Sequence, residues 1–266
     1  MFNVLNYTGG GSGFDPDAQA YINALGADAT IAGYINTMFL GMKGTGTTNG
    51  TNFYSKLYAV YPMAPSDAST ISLSTIKWNA VNPLDTDAAF RLTFLNEPTA
   101  DLALGLNNNA TPNGYAETHF IESASMTAGN NGSTMSVSRQ STVFNSYSFG
   151  TSVGTLFAQR KTSTHGVFSS GIALATTADL DVYTASRLNA TDLKLYRNGT
   201  QASTSATSAS TQSTGSCFIL AINNAGAPSN SFDGAIDFVV IHDGLTANES
   251  QDLYDVINTW KTNLGR

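Results

Sequence analysis

The last 35 residues, Phe232 to Arg266, restrict the fold more than any other stretch of the chain. Residues 235–241 form an apolar run broken only by Asp237, rich in β-branched Ile236, Val239, Val240 and Ile241, and bounded by Asp233-Gly234 and Asp243-Gly244. Such a run between turn signals reads as a buried strand. Thr246-Ala-Asn-Glu249 follows, a capping box in which a hydroxyl and a carboxylate each satisfy an amide left unpaired at a helix start. Leu253, Ile257, Trp260 and Leu264 then fall on one helix face, which Gly265 ends. A central strand followed by a helix whose Trp260 stripe must dock predicts a closing clasp.

Upstream, Asp15-Pro16-Asp17 opens a helix with Ala18, Tyr21, Ile22 and Leu25 on its apolar face, and Asp28 caps a second with Ile31, Tyr34, Ile35, Met38 and Met42 inward. The pair predicts an αα-hairpin. Residues 44–52 read as a loop and 53–61 as a short helix with aromatic anchors. From about residue 71 the pattern changes to short strands, expected at 71–78, 90–94, 115–121, 135–139, 143–150, 153–159, 166–174, 180–186, 193–197, 217–222 and 235–241. Asn198-Gly199 closes one of them with the strongest two-residue hairpin signal. The Ser/Thr/Gln-rich stretch 200–216 reads as one long surface loop. Strands at this spacing predict a two-sheet sandwich. The expected organisation is an arm with a Gly-rich linker at 1–14, a helical region at 15–62, and a sandwich with its closing helix at 63–266.

The closing stretch resembles the end of a laminin-G-like or concanavalin-A-like domain through Phe232, Gly234, Ile236, Asp237 and Ile241, then Leu245, Thr246, Glu249, Leu253 and Tyr254. The Leu195-Tyr-Arg-Asn-Gly199 hairpin is similar to one common in the same domains. DPDAQAYI (15–22), KLYAVYP (56–62), KWN (77–79), NPLDTDAAFRLTF (82–94) and NGYAET (113–118), in that order, resemble bacteriophage tail and appendage proteins built on that sandwich. The resemblance runs over nearly all of 15–266, leaving out 1–14 and the details of 95–112 and 200–216. It implies a mainly β fold, a concanavalin-A-like antiparallel jelly roll with an N-terminal αα-hairpin and a C-terminal amphipathic helix. It also implies a place on a virion, with other virion proteins and copies of the same chain as partners. It does not by itself give a ligand.

Composition narrows the chemistry. Only 12% of residues are charged, about half the usual share, and the net charge is −7. Ser, Thr, Asn and Gly must therefore make the surface, which suits packing against many copies or against neutral glycans. The 12 Lys and Arg show one adjacent pair, Arg160-Lys161, so no basic patch for nucleic acid is visible. No run is long and apolar enough for a membrane span, and residues 1–5 lack the form of a signal peptide. Cys217 is the only cysteine and reads as a buried, inert thiol.

Catalytic patterns are weak. The four glutamates are Glu97, Glu117, Glu122 and Glu249. Glu249 caps a helix and Glu97 precedes Pro98. Glu117 and Glu122 are five apart, which on a regular strand puts them on opposite faces, unlike the paired carboxylates of a retaining glycosidase. His119, His165 and His242 have no metal-ligand spacing. No cofactor is assigned. Calcium stays open through Asp85/Asp87, Asp179/Asp181 and Asp233, residues that turns use equally. The candidate carbohydrate site is Asn113, Tyr115 and His119, an aromatic ring beside amide and imidazole groups, with Tyr115, Glu117 and His119 alternating onto one strand face. A half-exposed strand face with a satisfied histidine is the plainer reading of the same residues. Three functions stay open: a virion surface or tail module that helps attachment by weak multivalent glycan binding, an assembly protein that binds no sugar, and a glycan-degrading enzyme. The first is the reading preferred here, without catalysis.

Overall fold

The chain is described by a computed structural model over residues 13–108, 113–139, 141, 146–152, 157–161, 165–168, 172–175, 180–206, 208 and 211–266. Its helices are α1 (Pro16–Leu25), α2 (Ala29–Met42), α3 (Leu73–Ile76), α4 (Glu122–Ser125) and α5 (Ala247–Leu264). Its strands are β1 (Leu57–Tyr61), β2 (Thr93–Leu95), β3 (Thr99–Asp101), β4 (Gly105–Asn107), β5 (Tyr115–Ile121), β6 (Asn131–Arg139), β7 (Ser146–Gly150), β8 (Phe157–Lys161) and β9 (His165–Phe168). They continue with β10 (Ile172–Ala175), β11 (Val182–Asn189), β12 (Asp192–Arg197), β13 (Thr200–Ser205), β14 (Ser216–Ile219), β15 (Ile222–Asn224), β16 (Ala227–Ser229) and β17 (Ala235–His242).

Two antiparallel sheets face each other. The first runs β13-β12-β11-β6-β17-β4-β3, with β1 also paired to β17; the second runs β10-β9-β8-β7-β14-β5-β2. Every residue of β17 is buried. Its Val239 and Ile241 join Met135, Val137, Phe120, Phe149, Cys217 and Ile219 between the sheets. Phe238 and Val240 point the other way, into a second core made by α1, α2 and α5. The molecule is therefore three layers deep, helices on one sheet and that sheet on the other. A strand covered on both faces has to read as a continuous apolar run, as this one does.

Local chemistry fixes the helices. The Asp15 carboxylate accepts from the Asp17 and Ala18 amides, and Asp28 accepts from Ile31 N–H at 2.8 Å. On α5 the capping box is complete: Glu249 N–H donates to Thr246 Oγ1 at 3.3 Å and Thr246 N–H to Glu249 Oε2 at 2.8 Å. Lys56 Nζ lies 2.8 Å from the same carboxylate. Burial acts to raise the Glu249 carboxyl, but Lys56 and the Thr246 donors outweigh it and hold it below the ordinary range. The predicted clasp is present. Trp260 is 1% exposed, and its Nε1 donates to Pro62 O at 2.9 Å.

Several expectations are corrected. Residues 53–61 form only a 3-10 turn, Tyr54–Lys56, before β1, because pairing with β17 overrides local helix preference. The strand expected at 71–78 is instead the short α3, nucleated by a Ser72–Thr75 capping box. The loop expected at 200–216 begins with β13, which returns along β12 through Asn198 (φ 49°) and Gly199 (φ 76°), the turn the Asn-Gly pair predicts. Within 95–112, β3 and β4 extend the first sheet. The strand expected at 166–174 divides into the paired β9 and β10, and the one at 217–222 breaks at Leu220, φ 67°. Phe90 ends a 3-10 turn with φ 59°, so the strand expected at 90–94 begins only at Thr93. Residues 1–12, most of the expected arm, lie outside the described residues.

Two predictions follow from this packing. Trp260→Ala should cost on the order of 3–5 kcal/mol, read as a lower denaturant midpoint at unchanged slope; an unchanged midpoint rejects the clasp. The second concerns His242, fully buried, with Nδ1 donating to Asp243 O at 2.6 Å and Nε2 3.0 Å from Thr134 Oγ1. Burial lowers it from 6.5 to about 4, against the opposing pull of the Asp243 carbonyl. A base whose folded value is depressed leaves the unfolded chain holding more protons between about pH 6.5 and 4. Stability contributed by the neutral ring is thus present above pH 6.5 and falls as pH drops through that window. His242→Gln should flatten the stability–pH slope there relative to the parent, measured by denaturation at each pH.

Candidate functional site

The core of α1, α2 and α5 covers the outer face of the first sheet and, among the described residues, takes in none of the second, whose outer face lies on the far side of the sandwich. On that face β5 carries Tyr115, Glu117 and His119, while Ala116 and Phe120 enter the sandwich core. Pairing with β14 slips inside β5: Ile121 faces Ser216 and Glu117 faces Phe218, so three residues, 118–120, bulge opposite Cys217. Thr118 Oγ1 holds the bulge by donating to Cys217 O at 2.8 Å. His119 sits at its apex with φ 56°, a left-handed conformation that is uncommon without glycine.

The bulge carries the imidazole into a chain of charged groups. His119 Nε2 is 2.8 Å from Thr93 Oγ1 and 3.4 Å from Asp87 Oδ1, and Nδ1 is 3.8 Å from Glu117 Oε1. Ser216 Oγ donates to Glu117 Oε1 at 2.5 Å. Arg91 binds Asp87 through Nε at 3.1 Å and Asp85 through a terminal nitrogen at 3.3 Å. Lys77 Nζ reaches Asp85 Oδ2 at 2.7 Å and lies 4.4 Å over the Trp78 ring. Lys77 holds the Asp85 carboxyl below its ordinary range, with Arg91 adding to it. Asp85 and Asp87 are more than half exposed, and Glu117, His119 and Arg91 are partly so. The result is a patch of planar, fixed hydrogen-bonding groups open to solvent.

Of the predicted site residues, only His119 lies in this patch. Tyr115, expected as an exposed stacking ring, is 7% exposed and packs on Phe218 with ring centroids 4.6 Å apart. Burial, and then the Glu117 charge, raise its phenol above the ordinary value. Two large apolar rings on one open face bury each other, which is why the exposure expected from alternation is not seen. Asn113 is exposed, and its carbonyl accepts from Asn96 Nδ2 at 3.2 Å. Nearby Asn108 is buried and shapes the loop, donating to Phe232 O and accepting from Gly114 N–H. Glu117 and Glu122 do not share a surface, since Glu122 is wholly buried and accepts from Ser213 N–H at 3.3 Å.

The sequence does not mark Arg91, Thr93 or Ser216, and it marks Asp85 and Asp87 only as calcium or turn candidates. The Asp87/Arg91 spacing of four was the one local signal; the rest depends on β2 and β14 flanking β5. Of the residues weighed for calcium, Asp85 and Asp87 are ion-paired, and Asp181 accepts from Arg197 and Asn198 at 2.6 Å each. Asp179 lies outside the described residues. Among the described residues no group of three or more His, Cys, Asp or Glu is arranged to hold a metal ion, and no helix is long and apolar enough to cross a membrane.

No family model and no curated protein matches the sequence. Solved structures do. Over 86% of this chain the fold is similar to a mutant of Trypanosoma rangeli sialidase displaying trans-sialidase activity, with a TM-score of 0.54 at 12% identity; the chain spans 38% of that sialidase. The binding domain of botulinum neurotoxin serotype D is similar over 77% of this chain and 53% of its own, with a TM-score of 0.47 and 7% identity. Domain 4 of AbnA, a GH43 extracellular arabinanase from Geobacillus stearothermophilus in complex with arabinotriose, matches at 0.42 and 17% over 74% of this chain and 98% of its own. At 12% identity the likeness to the sialidase, the one of these three with a TM-score above 0.5, shows the fold alone, an antiparallel concanavalin-A-like sandwich; the N-terminal helices and the C-terminal helix are read from this chain itself.

The left-handed apex gives a direct test of the site's geometry. His119→Gly should be more stable than His119→Ala by about 1 kcal/mol, because alanine carries the left-handed penalty and glycine does not. Equal or reversed stabilities in denaturant titrations would show that the bulge is not held in this conformation.

Proposed function

We propose that the chain is a non-catalytic virion protein of a bacteriophage whose sandwich attaches to host-surface glycans by weak, multivalent contacts at the patch around His119. The observation that carries the reading is the gathering of Asp85, Asp87, Arg91, Glu117 and His119, partly exposed, on the sheet face that the helices leave open. Vicinal sugar hydroxyls both donate and accept. Carboxylates and a guanidinium held by mutual pairing are suited to bind them. The sequence resemblance to phage tail and appendage proteins supports the virion setting, and the low charge elsewhere suits a repeated, closely packed array.

The second reading, an assembly module that binds no sugar, is favoured by the burial of Tyr115, which removes an expected stacking platform. The two separate experimentally. Individual contacts are weak, so the protein is displayed in many copies on a bead and applied to a glycan array. The parent should bind one or more glycans, and Arg91→Ala with His119→Ala should reduce that signal by ~10-fold or more with the far-UV circular dichroism unchanged. No binding by the multivalent parent would reject the glycan reading in favour of assembly. Mass spectrometry of purified particles tests the virion setting, which fails if the chain is absent from them.

A further inference from the structure

The helical layer, on the opposite side of the sandwich, carries clefts of its own. We infer that the groove between α2 and α5, centred on Tyr34 and Asn263, binds a short neutral saccharide. Two clefts meet there, one bounded by the loop after α2 and the other by Pro65 and Leu102, and both include Tyr34 and Asn263. The groove thus continues on either side of this aromatic–amide pair, as successive sugar units require.

The lining has the chemistry of sugar recognition. Tyr34 offers a half-exposed ring, Asn263 a planar amide, and Thr37, Thr47 and Thr259 hydroxyls. Among the described residues Asp255 is the one charged group lining the clefts, and no Lys or Arg lines either of them. An anionic ligand would therefore meet repulsion without a counter-charge, whereas a neutral polyol meets acceptors and donors. Asp255 is already oriented: Oδ2 accepts from Thr48 N–H at 2.8 Å and Oδ1 from Gln251 Nε2 at 3.0 Å, leaving each oxygen a further lone pair.

The wall is built before any ligand arrives. Asp252, wholly buried, accepts from Asn49 N–H and Thr51 N–H at 2.7 Å each and from Thr51 Oγ1 at 2.5 Å, which fastens the loop after α2 onto α5. A fixed wall lowers the ordering cost of binding.

The test is an amide chemical-shift titration of the full chain with three uncharged glucose trisaccharides of different linkage: cellotriose, maltotriose and laminaritriose. At least one should shift amides of residues 34–48 and 255–263 with a dissociation constant in the millimolar range. Thr259→Arg, at an exposed helical position, should weaken that binding by ~10-fold or more while leaving the remaining spectrum in place. Tyr34→Phe keeps the ring and should retain binding, while Tyr34→Ala should lose it. No shift with any of the three overturns the inference. Shifts confined to residues 85–93 and 115–119 overturn it as well, and would place sugar binding at the strand-face patch instead.

Discussion

Burial of β17 on both faces is the constraint on which the rest depends. One face completes the core between the sheets, and the other supplies the floor for α1, α2 and α5. Both cores close against the same eight residues, so neither layer is complete without this strand. The strand also has a fault in it. Pairing with β6 slips between Ile236 and Phe238, and the extra residue, Asp237, is wholly buried. Lys261 on α5 lies 3.2 Å from Asp237 Oδ2 and donates to Ser136 Oγ at 2.9 Å. The bulge thus turns one residue of the central strand toward the closing helix, and a carboxylate there needs the cation the helix brings. Trp260 and Lys261, neighbours in sequence, dock α5 through apolar and ionic contacts at once.

The same dependence explains what could be read from the sequence. Elements governed by local chemistry were legible: the Asp15 and Asp28 caps, the Thr246–Glu249 box, the Asn198-Gly199 turn, and the apolar run of β17. Those decided by partners far along the chain were not. β1 carries aromatic residues at helical spacing, yet it is a strand because β17 has an open edge beside it. β13 is a run of Thr, Gln, Ala and Ser without a core residue, and becomes a strand because the turn before it fixes its course along β12. Neither fact is written within the segment itself.

The patch on the second sheet shows the same limit. With a strand's period of two, alternation along β5 predicts Tyr115, Glu117 and His119 on one face, and of these Glu117 and His119 approach each other, at 3.8 Å. It could not show that Phe218 on β14 would cover Tyr115, nor that three residues would bulge opposite Cys217 and lift His119 toward Asp87. Register between strands belongs to pairs of segments, and the bulge is a property of the β5–β14 pair.

Magnitudes argue that this patch was not assembled for stability. Ion pairs on an open surface contribute little, because water screens them and long side chains lose freedom in forming them. The left-handed backbone at His119 costs about 1 kcal/mol relative to glycine at the same position. A regular β5 with an uncharged outer face would therefore hold the sandwich at least as well. In a chain with only 12% charged residues, Lys77, Asp85, Asp87, Arg91 and Glu117 nevertheless meet around one strained histidine. An arrangement that packing does not reward supports the glycan reading proposed above for this face.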